Sequence, residues 1–157
     1  MIITPSRRLA RYAVLPVTAL AVAGVAHATA GAADAGTLPT DGPTIAMTIT
    51  NATDAPMVLQ DSSNPYGQWM SAPRGFLAPH STEIVTAYNN DPNGVGVDVT
   101  YALPGGAQAV FAANNYRGAS SLDGTRITGV AGAYGINPTL DTGFPNLNAG
   151  YVLVGHP

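Results

Sequence analysis

The chain has no cysteine and no lysine in 157 residues, and only 10% of it is charged. Without cysteine there is no disulfide, no thiolate metal site, no cysteine nucleophile and no lipidated cysteine behind an export signal. Acid–base groups are scarce too: nine acidic residues, of which only Glu83 is a glutamate, and three histidines, His27, His80 and His156. Catalysis needs matched titratable groups gathered in one place. No such constellation is visible, so the chain is expected to be no enzyme and to carry neither a cofactor nor a metal.

Half of the small basic complement sits at the start. Arg7, Arg8 and Arg11 precede an apolar run from Tyr12 to Val25, and Ala26-His27-Ala28 then offers the small residues that a signal peptidase accepts. The run is shorter than a membrane span and contains Pro16. Residues 1–28 are therefore expected to be an export signal, with cleavage between 28 and 33 and a secreted product. The remaining chain keeps Arg74, Arg117 and Arg126 against nine acidic residues, a net charge of −6. Three scattered arginines cannot follow a phosphate backbone, which excludes nucleic acid as a partner. They cannot hold the protein electrostatically on anionic lipid either. From the Ala-rich, lysine-free composition a bacterium with GC-rich DNA is the expected source.

Residues 29–43 lack hydrophobic periodicity and read as a flexible leader. From Thr44 the pattern becomes that of half-buried strands, with Ile45, Met47 and Ile49 alternating with smaller or polar residues. Short strands are expected at 57–60, 82–88, 125–130 and 147–154. A hairpin is expected from Val95–Leu103 and Ala107–Ala113 around Pro104-Gly105-Gly106. Residues 64–79 read as one long loop, and 137–146 as an irregular segment broken by Pro138, Gly143 and Pro145. About seven or more short strands separated by Gly, Pro, Asn and Asp predict a single all-β domain over 44–157, an antiparallel β-sandwich.

Three motifs bear on chemistry. His80-Ser81 pairs a base with a hydroxyl, but neighbouring side chains on an extended strand point to opposite faces. Asn89 to Gly94 reproduces the first half of a calcium loop. Position one is neutral, however, and position twelve is Thr100 where a glutamate is required, so a plain loop is expected. Asn51-Ala52-Thr53 fits a glycosylation acceptor, which matters only in a eukaryotic source and is discounted on the expected bacterial one. The aromatic residues Tyr66, Trp69 and Phe76 in the long segment, with Tyr116 and Phe144, suit contact with a sugar or a lipid interface. A lone tryptophan can equally plug the end of a small core.

Thr48-Ile49-Thr50-Asn51-Ala52-Thr53, then Tyr66-Gly67-Gln68-Trp69 with Pro73, then the strand Gly94 to Tyr101, resemble in their order the aegerolysin-like secreted β-sandwich proteins, a group that includes bacterial crystal-toxin relatives. The resemblance runs from about Thr44 to Val154. It implies a sandwich that recognises membrane lipid, a role as a toxin or cytolysin component, and in some members a larger partner protein. It carries Tyr66 and Trp69 over as the ligand contacts. This chain departs from that pattern in having one tryptophan and no lysine. The competing expectations are a carbohydrate- or cell-wall-binding module, in which the same rings meet a glycan surface, and an envelope protein without a small ligand.

Overall fold

The computed structural model describes residues 41–129 and 132–156. The expected export signal and most of the leader, residues 1–40, lie outside the described residues, as does Val130. The described chain forms β1 (Thr44–Asn51), β2 (Met57–Ser63), β3 (Gln68–Ser71), β4 (Phe76–Leu77), β5 (Ser81–Tyr88), β6 (Gly94–Ala102), β7 (Gln108–Tyr116), β8 (Ala119–Ser121), β9 (Arg126–Thr128), β10 (Tyr134–Thr142) and β11 (Asn146–Gly155).

These strands make two sheets. The first has the order β10-β11-β1-β5-β3; the second has β4-β2-β6-β7-β8, with β9 also paired to β7. Alternation decides which side of each strand faces the other sheet. Ile45, Met47 and Ile49 of β1 bury completely, as do Leu147 and Leu153 of β11 and Val95, Val99 and Tyr101 of β6. Two such inner faces, one from each sheet, enclose the core of a β-sandwich. The expected all-β sandwich is the fold. Most ladders are antiparallel, but β1 and β11, the first and last strands, lie side by side and run parallel.

Aromatic rings fill the middle of the core. Phe111 meets Tyr101 edge-on at 6.3 Å between ring centres and Tyr151 at 5.5 Å. Such edge-to-face pairs contribute about 1 kcal/mol each beyond the area they bury. The Tyr151 hydroxyl donates to the Ala112 carbonyl at 2.6 Å. Burial pushes its phenol above the ordinary tyrosine value, against a smaller opposing pull from the Thr125 hydroxyl.

The hairpin at Pro104-Gly105-Gly106 forms as its residues dictate, with φ of 79° and 81° at the two glycines. Two other segments differ from expectation. Residues 64–79 contain β3 and β4. β3 is four residues long with a register break before Ser71, and β4 is two residues long, so neither shows an alternation that a sequence pattern can reveal. Residues 137–146 contribute most of β10, a nine-residue strand. Pro138 does not break it because β10 lies at the edge of its sheet, where a missing N–H need not be paired. The fold also begins slightly before Thr44: Pro43 is buried and its carbonyl accepts the Asn89 N–H at 3.1 Å.

Candidate functional site

The registers place Thr44, Tyr88, Gly94, Tyr116 and Asn146 at one end of the sandwich and Asn51, Ser81, Ala102, Gln108 and Gly155 at the other. The first end carries Tyr66, Tyr88, Tyr116 and Phe144; the second carries His80 and His156, with Tyr134 and Phe76.

At the aromatic end the β2–β3 loop, Asn64-Pro65-Tyr66-Gly67, lifts Tyr66 into solvent with 67% of its surface exposed. Gly67 lets this loop lie against the sandwich. A Cβ there would strike the Tyr88 carbonyl oxygen and stand 2.7 Å from Asn64 Oδ1 and 3.1 Å from a Val95 methyl. Trp69 follows a different course. It occupies β3 opposite Ala87, whose side chain faces inward, and its half-buried ring packs on the core. The two residues singled out together in the sequence are thus placed differently: Tyr66, in the turn before β3, faces solvent, whereas Trp69, on β3, packs its half-buried ring against the core. Phe76 lies away from this end, exposed on β4 beside Val58 of β2.

Phe144 joins the aromatic end from the β10–β11 turn, with the Arg117 guanidinium 5.9 Å above its ring. Phe144 also lines a recess of about 170 Å³ with Asp41, Gly42, Pro43, Pro92 and Pro145. Tyr88 donates from its hydroxyl to Gln68 at 3.0 Å, and the Tyr116 ring covers Gly94 and Gly96, where side chains would collide with it. Sequence patterns could not show the Phe144–Arg117 pairing, because the two residues come from different sheets and meet only where the turns converge.

The opposite end is built from closed polar networks. Asn51 is 0% exposed. Its amide nitrogen donates to the Ala55 and Ala78 carbonyls, and its oxygen accepts from the Thr53 N–H and hydroxyl. This makes the Asn51-Ala52-Thr53 motif a structural turn whose amide is inaccessible to a glycosyl donor. Glu83, 3% exposed, accepts the Arg74 N–H at 2.9 Å and the Tyr101 hydroxyl, which also lies 2.8 Å from the Arg74 carbonyl. Burial first, then the bond and charge of Glu83, push the Tyr101 phenol well above its ordinary value. The Arg74 charge pulls the other way by less. This pair braces the sandwich from inside.

The weaker motifs resolve into local structure. His80 adopts a positive φ of 51° and meets Asp54 at 2.8 Å on the surface, while the Ser81 hydroxyl donates to the Ala78 carbonyl at 2.6 Å. His80 and Ser81 therefore share no proton. His80 and Asp54, with Thr53 and His156, line an open recess of about 360 Å³. In the Asn89–Gly94 loop, Asn89 Oδ1 accepts the Asp91 N–H and Asp91 Oδ1 accepts the Asn93 N–H, so these oxygens are engaged in holding the turn. Among the described residues no three His, Asp or Glu side chains are placed to hold a metal ion, and no helix is long and apolar enough to cross a membrane.

The structure of the lipid binding protein Nakanori aligns with this chain at a TM-score of 0.61, covering 71% of each, with 12% sequence identity. This chain shares Nakanori's fold. RahU protein, solved in complex with a TRIS molecule, aligns at a TM-score of 0.55 over 73% of this chain and 96% of its own, with 8% identity. At such identities the likeness is one of architecture. No protein-family model and no curated protein sequence matches the chain.

Proposed function

We propose that this protein is a secreted, non-enzymatic β-sandwich that binds membrane lipid through its aromatic end. The observation that carries the reading is the fold shared with the lipid binding protein Nakanori. The geometry supports it. Tyr66 projects an amphipathic ring from a loop tip, and Phe144 lies at the same end under a cation. Tyrosine suits the headgroup level of a bilayer, with an apolar body and a polar hydroxyl. With three arginines behind the export signal, attraction to anionic lipid is weak, so contact rests on rings and hydrogen bonds. In the aegerolysin-like manner, the protein would act as the membrane-recognising component of a cytolysin, beside a larger partner protein that perforates.

Co-sedimentation of the mature protein with vesicles of varied headgroup tests this. Binding to at least one composition, undiminished by added salt and weakened at least tenfold by Tyr66→Ala at unchanged melting temperature, is the expected result. Failure to bind any vesicle, with retention on a neutral glycan array, would replace lipid by carbohydrate as the ligand.

A further inference from the structure

The β2–β3 loop contains a polar group that the fold leaves unpaired. The side-chain nitrogen and oxygen of Asn64 are both closed off from solvent, and neither has a hydrogen-bond partner. Asn64 is the one residue among those described with buried side-chain polar atoms in this condition. Burying an amide without partners opposes folding, and native interiors rarely keep such a group without a use for it. Asn64 stands two residues before the exposed Tyr66, pressed beneath the chain at Gly67. The loop leads into β3, a four-residue strand at the edge of its sheet with a broken register, so the ladder that holds it is short.

We propose that Asn64 is a concealed recognition group. This inference rests on the lipid reading above. When Tyr66 enters the interface, the segment from Asn64 to Gly67 lifts, and the freed amide hydrogen-bonds the headgroup. An amide presents two N–H donors and a carbonyl acceptor, and its complement is a neutral group that also donates and accepts. A hydroxyl-bearing headgroup fits; a phosphocholine, which only accepts, satisfies half of it. The unpaired amide in the closed loop makes opening easier and gives the bound state bonds that the free state lacks.

Asn64→Leu is the decisive variant because it replaces the amide by an apolar group of similar size. The melting temperature is expected to rise by about 3 °C, since a buried unpaired amide is removed. Binding to phosphatidylcholine vesicles doped with galactosyl diacylglycerol is expected to fall at least tenfold, towards the level seen with phosphatidylcholine alone. Methyl galactoside in solution serves as the competitor. Failure to compete places recognition on the membrane-bound hydroxyls, and full competition places it on the sugar itself; either result keeps the hydroxyl assignment. Equal binding by Asn64→Leu and the unsubstituted protein overturns the inference and leaves the lipid reading standing. A fall in melting temperature overturns it too, by showing that the amide is a satisfied structural group. Absence of vesicle binding by the unsubstituted protein removes both. Should the branched leucine not fit beneath Gly67 and the variant fail to fold for that reason, Asn64→Ala, which adds no bulk, is read by the same binding and melting criteria.

Discussion

Asn51 and Asn64 lie at opposite ends of the sandwich, and both bury their amides. Asn51 makes four hydrogen bonds, two through nitrogen and two through oxygen, and ties the β1–β2 turn to the carbonyl of Ala78. Asn64 makes none. The same side chain is a structural staple where the fold surrounds it with partners and an unspent group where it does not. One end of the molecule is therefore closed in hydrogen-bonding terms. The other keeps both an exposed aromatic ring and an unpaired amide within a single four-residue loop.

The largest expected effect comes from breaking the closed end. Asn51→Ala strands the Ala55 and Ala78 carbonyls together with Thr53, and should destabilise the domain by about 3 kcal/mol in urea unfolding. A result near zero would mean that the two asparagines are equivalent after all. Alkaline titration comes next. Tyr101 and Tyr151 keep their protons in the fold at a pH where the unfolded chain has released them. Their contribution is complete below about pH 10 and is lost above it, by about 1.4 kcal/mol per pH unit for each group. Unfolding curves taken between neutral and strongly alkaline pH, with phenolate absorbance as the second signal, would show this loss. Tyr101→Phe removes the proton that Glu83 receives and should cost about 2 kcal/mol at neutral pH. Its stability should also fall less steeply in alkali than that of the unsubstituted protein.

Effects at the aromatic end should be smaller in stability and opposite in sign. Asn64→Leu is expected to stabilise by about 1 kcal/mol, in contrast to Asn51→Ala. Tyr66→Ala, smallest of all, should leave the melting temperature unchanged, because a ring that is mostly in water contributes little to folding. Its effect belongs to vesicle binding. If Tyr66→Ala destabilised as much as Tyr101→Phe, the division between a structural and a binding end would not hold.

Much of this was legible in the residues. Ile45, Met47 and Ile49, and then Val95 to Leu103, alternate so regularly that only strands satisfy them, and Pro104-Gly105-Gly106 marks the turn between two long partners. β10 escaped because Pro138 reads as a breaker until its place at a sheet edge is known. β3 and β4 escaped because four and two residues are too few to display a period. At the candidate site, loop chemistry exposed the aromatic cluster but not its division. Tyr66 and Trp69 are three residues apart, but the first lies exposed in the turn before β3 and the second packs its half-buried ring on the core from β3 itself.

What the sequence determined by itself was the class of molecule. The period of two and the Gly, Pro and Asn clusters between the apolar runs point to an all-β domain, because composition and alternation act locally and do not depend on which strands meet. Tertiary structure decided the rest. The parallel meeting of β1 with β11, the pairing of Arg117 with Phe144 and the contrasting environments of Asn51 and Asn64 arise from segments far apart in the chain. Whether a buried amide finds a partner depends on which carbonyls and hydroxyls the two sheets bring to it, and no local pattern encodes that.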